Sequence, residues 1–329
     1  MRSIKIASPF IIFLFFIFSN TFSQGTLFIE LAEKGNQIEI KAITDSGKHS
    51  FIVYDSEKVF SSCNKLDKIV SKTNYGRPRV IKKLNKEIDY LSEILIAPIE
   101  SQVENCDLIN IKITLSSVRI PFEFLRLNGR FIYKQKPILF SYEKTSLDQI
   151  EKLDLQKGFI VCDLTADPEN ACGAIHEKKT SDFHYITDIN LDTIKNARDM
   201  DFILMSVHGG IYLDSCKSII VVNDEILYPS AFTQKNLKLI YFDSCHLGKG
   251  KNFVDQFHTL NAEYYIGPII SNEAGNSSTK TILTFFKHLD NNNPLESLMK
   301  TKKELMAYSD DNILVELWFA APFRLYKMN

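Results

Sequence analysis

The chain is short of most residues that would mark a special class. Among 329 residues there is one tryptophan, 10 prolines and 13 glycines. That content excludes collagen-like and Pro/Gly-rich low-complexity sequence. No CxxC pair and no HExxH is present, so neither a common zinc site nor a zinc-peptidase helix has support, and no cofactor or metal is expected. The only Gly-x-Ser, Gly275-Asn276-Ser277, runs into Ser278-Thr279, so the GxSxG elbow of serine hydrolases is missing. There is no internal repeat and no long basic run, and the formal net charge is -1, so nothing argues for a nucleic-acid partner.

What remains is an ordinary globular balance, 45% hydrophobic and 24% charged. The exception is the start. Arg2 and Lys5 precede the unbroken apolar run Phe10 to Phe18, and polar Ser19 and Asn20 close it. This is the layout of a secretory signal peptide, with cleavage expected near Ser23-Gln24, so residues 1–23 are expected to be removed. The run is short for the ~30 Å of a bilayer core, and no membrane attachment is expected after cleavage. The expected destination is the periplasm or the exterior. Export permits disulfides among the six cysteines, 63, 106, 162, 172, 216 and 245. Cys162 with Cys172 and Cys63 with Cys106 are possible pairs, and spacing does not choose between them.

Residues 26 to 62 alternate apolar and polar positions around Gly35 and Asp45-Ser46-Gly47, which predicts a small β-meander. Residues 63 to 79 read as a polar connector. Residues 24–79 thus form a small β-rich N-terminal region, compatible with a pro-segment, a docking module or an extension of the domain. From Val80 the pattern changes. Leu84, Ile88, Leu91, Ile94 and Leu95 predict an amphipathic helix to about Ala97. Strands are expected at Ile109 to Leu115, Phe131 to Tyr133, Pro137 to Tyr142 and Gly158 to Asp163. Phe202 to Val207, Ile219 to Val222, Leu237 to Phe242 and Tyr264 to Ile270 are apolar enough for strands buried on both faces of a mainly parallel sheet. Helices are expected at Leu191 to Ala197, Asn276 to Leu289 and Pro294 to Tyr308. The fold class is α/β, layered, with a mainly parallel central sheet flanked by helices.

Two strand ends carry chemistry. One buried run ends in Val207-His208-Gly209-Gly210, the other in Asp243-Ser244-Cys245-His246-Leu247-Gly248. Sites in open α/β sheets form at the carboxyl ends of strands. A thiol needs a base to become a nucleophile, and an imidazole can take its proton and return it to a leaving amine. Cys245 and His208 are therefore the expected catalytic pair. Gly209 admits close backbone approach, and its N–H with that of Cys245 is the expected oxyanion hole. The order His before Cys excludes a papain-like layout.

These two motifs resemble the caspase–hemoglobinase clan of cysteine peptidases. Asp243-Ser244-Cys245-His246-Leu247-Gly248 is similar to the Asp-Ser-Cys-His-Ser-Gly of metacaspases, with Leu247 where Ser is usual. The wider order of segments resembles the CHAT branch, the caspase-like domain related to separase. Ile120-Pro121-Phe122-Glu123-Phe124-Leu125 resembles its entry segment, and Trp318 to Tyr326 its closing strand. Residues 80–329 carry the resemblance, and residues 24–79 do not. It implies a thiolate at Cys245, a base at His208, an oxyanion donor at Gly209, and an acidic pocket for Arg or Lys with Asp243 at its floor. Asp163 and Glu273 are further candidates for that pocket. The implied activity is a secreted cysteine endopeptidase acting on protein or peptide substrates. A non-catalytic caspase-like interaction module is the alternative. The segment Ile270-Ser271-Asn272-Glu273 departs from the Trp and Asp usual there.

Overall fold

Continuous apolar runs make sense only where both faces of a strand are covered, and the computed structural model shows how that is done. It describes residues 25–71, 77–178, 183–187, 191–223, 225–272, 274–308, 312–319 and 322–329. The leader expected at 1–23 and the pocket candidate Glu273 lie outside these residues.

The strands are β1 (Thr26–Lys34), β2 (Gln37–Thr44), β3 (Gly47–Tyr54), β4 (Leu108–Lys112), β5 (Arg126–Leu127), β6 (Arg130–Phe131), β7 (Ile138–Ser141), β8 (Gly158–Cys162), β9 (Phe183–Ile186), β10 (Phe202–Ser206), β11 (His208–Tyr212), β12 (Lys217–Val222), β13 (Glu225–Leu227), β14 (Leu239–Asp243), β15 (Tyr264–Pro268) and β16 (Phe323–Lys327). The helices are α1 (Ser56–Val70), α2 (Pro78–Leu95), α3 (Glu100–Glu104), α4 (Leu115–Arg119), α5 (Ala171–Lys178), α6 (Leu191–Asn196), α7 (Lys251–Thr259), α8 (Ser277–Leu289), α9 (Pro294–Leu305) and α10 (Ile313–Phe319).

Eleven strands form one sheet in the order β3-β2-β1-β4-β7-β16-β15-β14-β10-β8-β9. It is antiparallel within the β1–β3 meander and between β15 and β16, and parallel elsewhere. Successive side chains alternate between its faces. Ile203, Met205, Ile240 and Phe242 join a core with α1, α2, α7 and α10. Phe202, Leu204, Leu239 and Tyr241 join a second core with α5, α8 and α9. The protein is therefore an α/β layered fold with a large, mainly parallel mixed sheet between two helical layers.

The meander adds to this sheet, since β1 pairs parallel with β4 from Thr26↔Leu108 to Ile29↔Ile111. The connector expected at 63–79 is helical over its first part. Val59, Phe60, Cys63, Leu66 and Val70 are buried at helical spacing, and the Asp55 side chain accepts the Lys58 N–H at the helix start. The strand expected to run to Leu115 stops at Lys112, where Thr114 and Ser117 form a capping box for α4. Of the segment Phe131 to Tyr133 only Phe131 pairs, as the end of β6, and Ile132–Lys134 is a 3-10 turn. Trp318 lies in α10, and the closing strand begins at Phe323.

Ile219 to Val222 is not in the main sheet. It belongs to β12, in a separate antiparallel sheet with β11 and β13. Buried residues on β12 alternate with less buried ones, as for a strand covered on one side only.

Candidate active site

The parallel register sets the site. Ser206 at the end of β10 pairs with Asp243 at the end of β14 and with Cys162 at the end of β8. His208 and Cys245 each lie two residues past the paired Ser206 and Asp243, and Asp163 lies one past Cys162. Three adjacent strands thus deliver all three candidates to one sheet edge. After β15 the chain returns over the same edge and brings Ser271 and Asn272 to the thiol.

Gly209 packs directly on the Cys245 backbone. A Cβ there would lie 2.5 Å from the Cys245 carbonyl oxygen and 3.0 Å from its amide nitrogen. The Cys245 N–H donates to no protein acceptor among the described residues. Gly209→Ala must push these backbones apart, so it is expected to lower turnover at least about tenfold, the scale of a misplaced oxyanion donor. Circular dichroism should stay unchanged, and unaltered turnover would count against a role for this contact.

Beyond Cys245 the chain turns sharply. His246 adopts φ 63, and the 3-10 turn Leu247–Lys249 follows. Lys249 is buried and donates to Asp67 of α1 at 3.0 Å, while His246 Nδ1 lies 3.7 Å from the same carboxylate. Burial opposes the Asp67 charge, yet Lys249 and His246 hold its pKa below the usual range. Burial pushes the His246 pKa down. This buried ion pair fastens α1 of the N-terminal region to the turn after the cysteine. A cavity of about 350 Å³ beside Cys245 is lined by Asp67, Lys68, Gly209, Gly210, His246 and Ser271, among others.

Cys245 Sγ lies 3.3 Å from Ser271 Oγ and donates to the Asn272 carbonyl at 3.7 Å. Burial pushes its thiol pKa up. His208 is exposed, and its Nε2 lies 2.8 Å from Thr165 Oγ1. Among the described residues no hydrogen bond joins the two. The Thr165 hydroxyl proton goes to the Asp163 carboxylate at 2.6 Å, because a carboxylate cannot donate. Thr165 must then accept from His208 Nε2–H, which leaves Nδ1 as the nitrogen with a free lone pair. The imidazole is thus oriented through Thr165 by Asp163.

Asp243 is 3% exposed and faces inward among the described residues. Its carboxylate is buried and accepts from Ser206 Oγ at 2.7 Å, from Asn272 Nδ2 at 2.7 Å, and from Ser278 Oγ. These internal partners give the expected contact with a substrate guanidinium no support: both oxygens are engaged from within, and Asn272 links Asp243 to the loop that contacts the thiol. Burial raises its pKa to about 6. Between the unfolded value near 4 and about 6, the native protein holds a proton that the unfolded chain has released. Stability from this group is therefore lost as pH rises through that window, by about 3 kcal/mol. Urea unfolding from about pH 4 to pH 7 should show this component, and it should vanish in Asp243→Asn. Parallel pH profiles for the two proteins would refute it.

Asp163 is half-buried, with Oδ1 engaged by the N–H and hydroxyl of Thr165 and no partner for Oδ2 among the described residues. Sequence reasoning missed Thr165, Ser271, Asn272 and Asp67. The Asp163-x-Thr165 spacing of an Asx turn was a readable signal for the first. Nothing local pointed to Asp67, which reaches the site only through the packing of α1.

No protein-family model matches the chain, and no curated protein matches it.

Proposed function

We propose that the chain is an exported cysteine peptidase of the caspase-like kind, with Cys245 as nucleophile and His208 as base. The observation that carries the reading is the shared sheet edge. Both residues sit two positions beyond paired residues of adjacent parallel strands, with Gly209 against the Cys245 backbone. Rotation of the imidazole off Thr165 would present Nδ1 to the sulfur. The Cys245 N–H, without a protein acceptor, would donate to the oxyanion together with that of Gly209. The arrangement of the strands within one layered sheet supports the caspase-like part of the reading.

A preference for Arg or Lys now rests on Asp163 rather than Asp243. Within the cavity Asp67 is already matched by Lys249. The test is hydrolysis of fluorogenic peptides ending in Arg, Lys or Asp, under reducing conditions, against Cys245→Ala. Turnover of a basic peptide that the variant lacks is expected. Failure with every peptide and with a thiol-directed peptide probe would favour the non-catalytic module. An acidic preference would keep the peptidase and remove the role of Asp163.

A further inference from the structure

The two ends of the loop that orients His208 each carry a cysteine. Cys162 closes β8 and Cys172 lies in the first turn of α5. Between them, residues 163–171 supply Asp163 and Thr165, the chain of hydrogen bonds to His208 Nε2. Both cysteines are fully buried. Their sulfurs and the Asp167 carboxylate lie within 4.8 Å of one another. Of the other four, Cys106 donates to the Val103 carbonyl, Cys216 to the Leu213 carbonyl, Cys245 faces Ser271 and Asn272, and Cys63 is buried in the core on α1.

We propose that Cys162 and Cys172 form a disulfide that ties this loop shut and so fixes the platform beneath His208. A bond needs the sulfurs at about 2 Å, which side-chain rotation at both positions must supply. The oxidant is a disulfide, R–S–S–R, such as the oxidised form of a dithiol oxidase or of glutathione. The Cys162 and Cys172 thiols lose two electrons and two protons, their S–S bond forms, and the oxidant is reduced to two R–SH. An exported chain meets such oxidants while it folds, before burial closes the site. Asp167 loses the Cys162 S–H, a donor at 3.4 Å, and keeps the N–H groups of Ala171 and Cys172, each at 2.9 Å. A metal ion on the same three residues would have to compete with those two amides for the Asp167 oxygens.

The link to His208 rests on the peptidase reading; the bridge itself does not. The test begins with the full chain made with its own leader in an exporting bacterial host, denatured in iodoacetamide and digested with trypsin. Cys162 and Cys172 share the fragment Gly158 to Lys178. That fragment should be lighter by two hydrogens, unmodified, and alkylated only after reduction. In a Cys245→Ala background, reduction should lower Tm by about 5 °C. In the otherwise native chain, the Cys162→Ser, Cys172→Ser double variant should alkylate Cys245 about threefold to tenfold more slowly, as a misplaced base would. Free alkylation of both cysteines without reduction, or stoichiometric zinc with both thiols free, would overturn the bridge. A mapped bridge with an unchanged Cys245 rate would overturn its connection to the site. Absence of any peptidase activity leaves the mapping to decide the bridge alone.

Discussion

Alanine at Cys245 or at His208 is expected to lower kcat/KM by about a thousandfold to a millionfold, and the double variant should be little worse than either single one. On the proposed reading the two groups act as a unit. Without sulfur there is no nucleophile. Without the imidazole the thiol stays protonated, because burial holds its pKa above the usual range. KM should move little, since neither side chain supplies the 350 Å³ cavity with its charged groups. The residual rate of His208→Ala should climb with pH as the thiol ionises unaided, in place of the flatter native profile. Additive losses from the two single variants would mean that they do not work together.

Glu123→Ala is expected to destabilise the fold by about 3–5 kcal/mol. Arg324 and Glu123 are each about 1% exposed. The guanidinium donates from Nε and a terminal nitrogen to the two Glu123 oxygens, both at 2.7 Å. Its remaining donors reach the carbonyls of Val118 at 2.9 Å and Ile120 at 2.8 Å. Its carbon sits 4.0 Å from the centre of the Phe140 ring. Removing Glu123 leaves a buried cation without its counter-charge, which costs far more than the pair contributes relative to apolar side chains. Thermal unfolding should fall by about 10 °C. Changing Glu123 to Leu and Arg324 to Met together should recover part of the loss, but not all, because two backbone carbonyls lose their donors. A single variant within about 2 °C of the parent would show that this pair is not isolated from water as drawn.

That ion pair also shows what the sequence could reveal. The segments Ile120 to Leu125 and Trp318 to Tyr326 stood out separately, and the structure joins them through one bidentate contact. The strand ends at His208 and Cys245 were legible because strands covered on both faces leave long apolar runs, and the residues that end those runs are conspicuous. The helical face of α1 was obscured by the polar residues among its buried positions. The separate sheet of β11, β12 and β13 was hidden because an apolar run does not say which sheet it joins. Asp243 was legible at its strand end, but its hydrogen-bond partners were not. The hydroxyls of Ser206 and Ser278 and the Asn272 amide that engage it come from three elements, and only the tertiary fold gathers them.

The central claim is that the His208 imidazole takes the proton of the Cys245 thiol. The most direct measurement is the rate of Cys245 alkylation by iodoacetamide as a function of pH, in the native chain and in His208→Ala. The account predicts a native rate that is already substantial near neutrality and falls in acid, with this phase absent from the variant. Two superimposable curves, rising only as the thiol ionises in alkali, would contradict it.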